Sequence, residues 1–112
     1  MQNDNIKSMK LYNFIDRIYN ELRELGKANS GSLSVNELSS FDQLHYHGTQ
    51  AIDFAIKKLN INHKSKILEI GSGLGGPARY LAKKTGANIT AVELQEDHHD
   101  VAVYLTKRCN LD

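Results

Sequence analysis

Apolar residues in the first part of the chain recur with the spacing of a helix. Between residues 6 and 25 they fall mostly at intervals of three and four positions, so they line one face of a single helix. Gly26 follows the last of them, and glycine readily adopts the left-handed conformation that ends many helices. The pattern predicts an N-terminal amphipathic helix over residues 6–25.

The next stretch, residues 27–40, is polar and contains few large apolar side chains. Its Ser, Asn and Gly content predicts a mobile connection, in which Ser34 and Glu37 form a small capping box. Apolar residues at helical spacing resume further on and predict a second helix, from Thr49 as its N-cap to Leu59.

The pattern changes in the second half of the chain. Lys66–Ile70 is a short apolar run ended by glycines, which predicts a buried parallel strand. A helix over residues 75–85, a second strand at Asn88–Val92 and a helix over residues 95–108 follow. This order predicts an α/β fold in which a right-handed crossover joins two parallel strands.

Composition and charge narrow the classes of function. At 112 residues and a net charge of +1, the chain fits about one small domain with no strong field for nucleic acid or an anionic membrane. No apolar run approaches the roughly 18 residues of a membrane span. The only cysteine, Cys109, cannot form an internal disulfide, which indicates a reducing compartment, and we expect a cytoplasmic protein.

Other polar clusters have simpler explanations than function. We expect no metal site at His98 and His99, because adjacent histidines on a helix point in different directions. We expect none at His45 and His47 either, because no thiol cluster supports these histidines. Cys109 is expected to be a packing residue. Basic pairs fall at the predicted helix C-termini, where they complement the helix dipole: Lys57 and Lys58, Lys83 and Lys84, Lys107 and Arg108.

The strongest chemical signal is a glycine cluster between the first predicted strand and the helix after it. Glycines there allow a tight turn and a close approach by a ligand, and free N–H groups at a helix start favour polar or anionic atoms. Gly71, Gly73 and Gly76 fit the G-x-G-x-x-G spacing of dinucleotide-binding folds, whereas Gly71, Gly73 and Gly75 fit G-x-G-x-G. The glycine spacing alone leaves both interpretations open.

Two acidic residues flank this cluster. Glu69 lies on the strand two residues before Gly71, where a carboxylate requires a cationic or amine partner. Glu93 lies at the end of the second predicted strand, where a carboxylate can accept hydrogen bonds from both hydroxyls of a ribose. Together they fit a nucleoside that carries an amino group.

These residues resemble two motifs of the class I S-adenosylmethionine-dependent methyltransferases, at residues 67–75 and 91–94. The resemblance implies a Rossmann-like fold and S-adenosylmethionine as cofactor. The glycines would line its methionine and ribose portion, Glu69 would serve its amino end and Glu93 its ribose hydroxyls. The full set that the resemblance assigns to the cofactor is Tyr46, Glu69, Gly71, Ser72, Gly73, Gly75, Glu93 and Leu94.

Residues 41–49 resemble the segment before the core in small-molecule methyltransferases. These include enzymes of the glycine, sarcosine and dimethylglycine type, and phosphoethanolamine and sterol enzymes. By resemblance this segment closes over the cofactor, with Tyr46 near the methyl group and Gln43 and His45 behind it. The expected function is methyl transfer to a small molecule, for instance an amine such as glycine, sarcosine or dimethylglycine. The alternative is a non-catalytic nucleoside- or dinucleotide-binding module, or a remnant that pairs with another subunit.

The chain departs from the family in its length. A full core of this type has a seven-stranded sheet, whereas only two strands are predicted before Asp112. We therefore expect N-terminal helices followed by the first βαβα unit of a truncated Rossmann-like fold, with residues 1–40 as helix and connection and residues 41–112 as the start of the cofactor-binding core. An unpaired sheet edge would allow self-association.

Overall fold

A computed structural model of the chain describes residues 15–45 and 47–112. The first half of the predicted N-terminal helix and the candidate residue Tyr46 lie outside these residues. The elements, in chain order, are α1 (Ile15–Glu24), α2 (Val35–Ser39), α3 (Gly48–Leu59), β1 (Lys66–Ile70), α4 (Gly76–Thr85), β2 (Asn88–Val92) and α5 (Glu96–Arg108). No helix in the described part of the chain is long and apolar enough to cross a membrane.

Helix α1 ends as its sequence predicts. Gly26 has a φ of 71°, and its N–H donates to the carbonyl of Arg23, while the N–H of Lys27 donates to the carbonyl of Leu22. This pair of hydrogen bonds is the Schellman motif, which satisfies carbonyl groups that the helix end would otherwise leave unpaired.

The segment between α1 and α3 contains a short capped helix, α2, and contributes side chains to the hydrophobic core. Ser34 and Glu37 form the predicted capping box at the start of α2. Leu33 and Leu38, on either side of this cap, are buried in the hydrophobic core. The prediction of a mere connection is wrong here, because a few large apolar residues in a polar segment suffice to anchor it once a partner surface is present.

Helix α3 starts two residues earlier than predicted. Its N-cap is His47, in the left-handed region with a φ of 67°, and no side chain caps the helix. Thr49 therefore lies inside the first turn, and the prediction that it is the N-cap is wrong. Asn60 adopts the left-handed conformation at the other end, and its N–H donates to the carbonyls of Ile56 and Lys57.

The two strands are parallel and have the predicted bounds, with Lys66 paired to Asn88 and Ile70 to Val92. The expectation that β1 is buried is wrong among the described residues, since Leu68 is 62% exposed and Ile70 is 79% exposed. Helices pack against one face of this two-stranded sheet, and its other face is left open. Self-association through the free strand edges stays a prediction.

The hydrophobic core lies among the helices and not on the sheet. Its buried side chains come from both ends of the chain: Ile18, Leu22, Leu33, Leu38, Phe41, Leu74, Val101 and Leu105. The glycine-loop residue Leu74 thus packs with α1, α2 and α5. The boundary that we predict at residue 40 stays untested, although residues on both sides of it share this core.

The shared core predicts the effect of Leu22→Ala. Leu22 is fully buried, so truncation should lower the free energy of unfolding by about 2–5 kcal/mol, through lost transfer energy and the cavity left behind. Tyr19→Ala, on the same helix but 41% exposed, is the control and should cost much less. Urea unfolding of both variants tests this, and equal losses would mean that α1 does not share the core.

Candidate functional site

The glycine loop joins β1 to α4 and is held by the end of β2. Gly71, Gly73 and Gly75 all have positive φ angles, of 74°, 57° and 80°, which other residues adopt only with strain. The N–H groups of Gly71 and Ser72 donate to the carbonyl of Val92, at 2.9 and 3.0 Å. These two N–H groups are therefore already engaged within the protein, whereas the expectation of free N–H groups concerns the start of α4.

Gly76 requires glycine for a different reason. Its φ is not positive, but a Cβ atom there would overlap the backbone carbonyl of Asp42. The three alternating glycines thus share a conformation, and the fourth allows two segments to touch. The division leaves both spacings open, since the third glycine of G-x-G-x-x-G also serves close packing.

Glu93 ties the end of β2 to the loop. One carboxylate oxygen accepts the N–H of Gly73 at 2.8 Å, and the other accepts the N–H of Gln95 at 2.8 Å. A carboxylate has about four lone-pair sites, so it retains acceptor capacity beyond these two bonds.

Glu69 projects from β1 beneath the loop and is partly buried. Its Oε2 atom is inaccessible and has no hydrogen-bond partner among residues 15–45 and 47–112. Burial raises the pKa of the Glu69 carboxyl above its ordinary value, against the opposing charges of His45 and Arg79. A buried carboxylate oxygen in this condition is suited to a cationic or hydrogen-bonding ligand.

A third wall comes from the segment between α2 and α3. Asp42 is buried and forms an ion pair with Arg79, at 3.1 Å. The Nε2 of Gln43 donates to the Oδ1 of Asp42 at 3.1 Å, and the Oε1 of Gln43 lies 3.0 Å from the Nε2 of His45. Neither Asp42 nor Arg79 stands out in the sequence, because a pairing across 37 residues leaves no local pattern.

These elements surround a pocket of about 750 Å³, which is large enough for a nucleoside-sized ligand. Five of the predicted cofactor residues line it: Glu69, Gly71, Ser72, Gly73 and Glu93. The pocket is also lined by Gln43 and His45, and by the buried His98. In the sequence, His98 stands out only as half of a histidine pair that is not expected to bind metal. Gly75 lines a second cavity of about 450 Å³ behind the loop, together with Ser72. Leu94 is 56% exposed and is not among the lining residues of either cavity.

One further side chain is accounted for by packing. Cys109 lies against the hydrophobic core, and burial raises the pKa of its thiol. Within residues 15–45 and 47–112, no three His, Cys, Asp or Glu side chains are grouped so that they could hold a metal ion.

The parallel βαβα arrangement, with a glycine loop after β1 and an acid at the end of β2, has the form of the first part of a Rossmann-like fold. No family model matches the chain. It is 28% identical over 108 residues to 24-methylenesterol C-methyltransferase 2 of Arabidopsis thaliana, in a match that covers 92% of the chain and 29% of that relative. It is also 33% identical over 64 residues to methyltransferase GfsG of Streptomyces halstedii, covering 57% of the chain and 23% of that protein.

A third match is shorter. The chain is 44% identical over 39 residues to glycine/sarcosine/dimethylglycine N-methyltransferase of Actinopolyspora halophila, covering 35% of the chain and 7% of that protein. The comparisons confirm that the chain resembles S-adenosylmethionine-dependent methyltransferases, as its glycine and acidic motifs predict. The chain spans less than a third of the length of these curated relatives.

The burial of Glu69 predicts a pH-dependent effect of Glu69→Gln. An acid whose pKa rises on folding makes the native state less stable as pH rises from the unfolded pKa, about 4.3, through the native value. Glutamine does not ionise, so the variant should be more stable than the wild type at pH 7, and the difference should vanish below about pH 4.

Urea unfolding midpoints between pH 3 and pH 8 measure this difference. Glu24→Gln changes an exposed glutamate at the end of α1 and is the control. A Glu69→Gln variant that is less stable than the wild type at pH 7 would show that burial is not the dominant influence on this carboxyl.

Proposed function

We propose that the pocket binds S-adenosylmethionine and that the protein transfers its methyl group to a small molecule. The observation that carries the proposal is the meeting of the glycine loop, Glu69 and Glu93 in one pocket. It rests also on the resemblance to methyltransferases. When bound, the sulfonium of this cofactor supplies an electrophilic methyl group.

The residues present fit the parts of this cofactor. The orphaned oxygen of Glu69 is a suitable acceptor for an ammonium group. Glu93 has acceptor capacity left for ribose hydroxyls. A Cβ atom at Gly71 or Gly73 would meet no protein atom within 4 Å, so the loop borders open space at both positions.

Electrostatics favour this ligand over a dinucleotide. Three acidic residues, Asp42, Glu69 and Glu93, line the pocket beside one arginine, Arg17. The N–H groups of the glycine loop, at Gly71, Ser72 and Gly73, already donate within the protein. A diphosphate would meet carboxylates without those donors, whereas a sulfonium with an ammonium group carries the complementary charge. Binding of NAD remains the alternative function, as a non-catalytic dinucleotide module, because the spacing of Gly71, Gly73 and Gly76 allows it.

For the methyl acceptor we propose a class of compound, whereas for the cofactor we propose one compound. Several relatives are named for sterol C-methylation, among them enzymes of Clavispora lusitaniae and Kluyveromyces lactis, whereas one is named for glycine, sarcosine and dimethylglycine. We propose a small-molecule acceptor, with an amine as the narrower choice. Catalysis would come mainly from holding acceptor and methyl group at reacting distance in a site that excludes water.

The proposal predicts the effect of Gly73→Ala on the binding of S-adenosylhomocysteine, the demethylated product, measured by calorimetry. Gly73 has a φ of 57° and lines the pocket, so a methyl group there would add both backbone strain and bulk beside the ligand. The affinity should fall about tenfold or more, which corresponds to about 1.4 kcal/mol or more.

Gly26→Ala is the matched control. Gly26 has a φ of 71°, and an added Cβ would likewise meet nothing within 4 Å, but the residue lies at the end of α1 and outside the pocket. It should lose stability and keep its affinity. Equal affinities for the two variants, or binding of NAD in place of S-adenosylhomocysteine by the wild type, would contradict the proposal.

A further inference from the structure

Arg79 joins three parts of the chain at one buried point. Its side chain is 2% exposed, and one nitrogen donates to the Oδ2 of Asp42 at 3.1 Å. Another donates to the carbonyl of Ala102 at 3.3 Å and to the hydroxyl of Thr106 at 3.1 Å. Arg79 lies on α4 and its partners on α5 and on the segment after α2, so this one guanidinium holds all three together.

The backbone at Asp42 is fixed at the same place. Gly76 opens α4, and its lack of a side chain allows the carbonyl of Asp42 to approach. The N–H of Asp42 donates in turn to the carbonyl of Leu38, at 2.9 Å. Asp42 is thus held by its carboxylate and by its backbone, directly beside the start of the helix that follows the glycine loop.

From Asp42, hydrogen bonds lead along the wall of the pocket. The amide of Gln43 donates to Asp42, and its oxygen lies within hydrogen-bond distance of His45. Both residues line the pocket that contains Glu69, and the charge of His45 acts on the Glu69 carboxyl. Asp42 itself also lines the pocket, whereas its partner Arg79 does not, so the ion pair links the wall to the helices behind it.

We propose that Asp42 and Arg79 are positioning residues, whose ion pair holds residues 42–45 against the start of α4 so that Gln43 and His45 form the wall of the ligand pocket opposite Glu69. The proposal rests on the proposed function only for the identity of the ligand. The role of the pair in placing the wall can be measured without any ligand.

The contribution of this ion pair to the free energy of unfolding does not by itself explain its place in the structure. Two charges removed from water lose hydration that their attraction only partly restores, so buried ion pairs often add little net stability. Their directional hydrogen bonds nevertheless fix one arrangement of the segments they join. The proposal concerns that arrangement, and its test must separate geometry from stability.

The test compares Asp42→Asn with Asp53→Asn in the full chain. Asp53 makes the same kind of contact elsewhere: it pairs with Lys84 at 2.6 Å, on the exposed side where α3 meets α4, and accepts the hydroxyl of Tyr80. We expect Asp42→Asn to weaken S-adenosylhomocysteine binding about tenfold or more, and Asp53→Asn to leave it within about twofold. Thermal unfolding of both variants reports the accompanying change in stability.

A second readout needs no ligand. Carboxyl carbon NMR gives the pKa of Glu69 in each variant. His45 and Arg79 are the charged groups that act on it, and burial opposes them. If residues 42–45 move away, water reaches Glu69, and its pKa should fall towards the ordinary value in Asp42→Asn and stay raised in Asp53→Asn. A loss of stability without a change in the wall would not move this pKa.

The double variant Asp42→Asn with Arg79→Met covers the case in which a lone buried Arg79 charge prevents folding. It leaves no unpaired charge, and the proposal still expects weak binding. Because this variant also loses the Arg79 charge, which lowers the Glu69 pKa, that pKa is compared only in Asp42→Asn. Wild-type affinity in either variant, or a Glu69 pKa that stays raised in Asp42→Asn, would overturn the proposal. If the wild type itself fails to bind S-adenosylhomocysteine, the proposed function fails, and the pKa of Glu69 still decides whether the ion pair positions the wall.

Discussion

The packing of Leu22, Leu38 and Leu105 in one buried cluster is the interaction on which the rest of the described structure depends. Two five-residue strands cannot bury both of their faces, and Leu68 and Ile70 remain exposed. The helices before and after the sheet supply the apolar contacts that the sheet lacks. Because Leu74 of the glycine loop belongs to the same cluster, the packing that stabilises the fold also places the loop.

Polar contacts then set the loop against its surroundings. Glu93 and the carbonyl of Val92 hold it from the side of β2, and the pair of Asp42 and Arg79 holds the segment that faces it. Glu69 is left between them with a buried oxygen that no described residue satisfies. The buried oxygen loses its hydration on folding and gains no hydrogen bond in return, which costs free energy. A ligand that donates to this oxygen removes that cost, and such groups are common in binding pockets.

Much of this arrangement follows from local sequence signals. The bounds of both strands, the end of α1 at Gly26 and the capping box of Ser34 and Glu37 are set by residues within a few positions of one another. Long-range contacts could not be predicted in this way. The pairing of Asp42 with Arg79 spans 37 residues, and the burial of Leu33 depends on a surface formed by helices at both ends of the chain.

The prediction that β1 is buried is wrong for a related reason. An apolar run predicts what a strand would bury when neighbours are present on both faces, and the described residues cover one face. The start of α3 is a smaller case. Thr49 has the chemistry of an N-cap, but the left-handed turn at His47 begins the helix before it, and a single residue's backbone angle has no signature in the pattern of apolar positions.

The hydrogen bonds to the glycine loop have a consequence for the entropy of binding. Val92 and Glu93 fix Gly71, Ser72 and Gly73 without any ligand, so the conformational freedom of these residues is lost when the chain folds. A ligand that docks on the loop meets a rigid surface and does not have to order it. Because the loop is already ordered, less of the free energy of its contacts with the ligand is spent on ordering it, and binding is tighter. The gain is largest for a loop rich in glycine, because glycine loses the most conformational freedom when it is ordered.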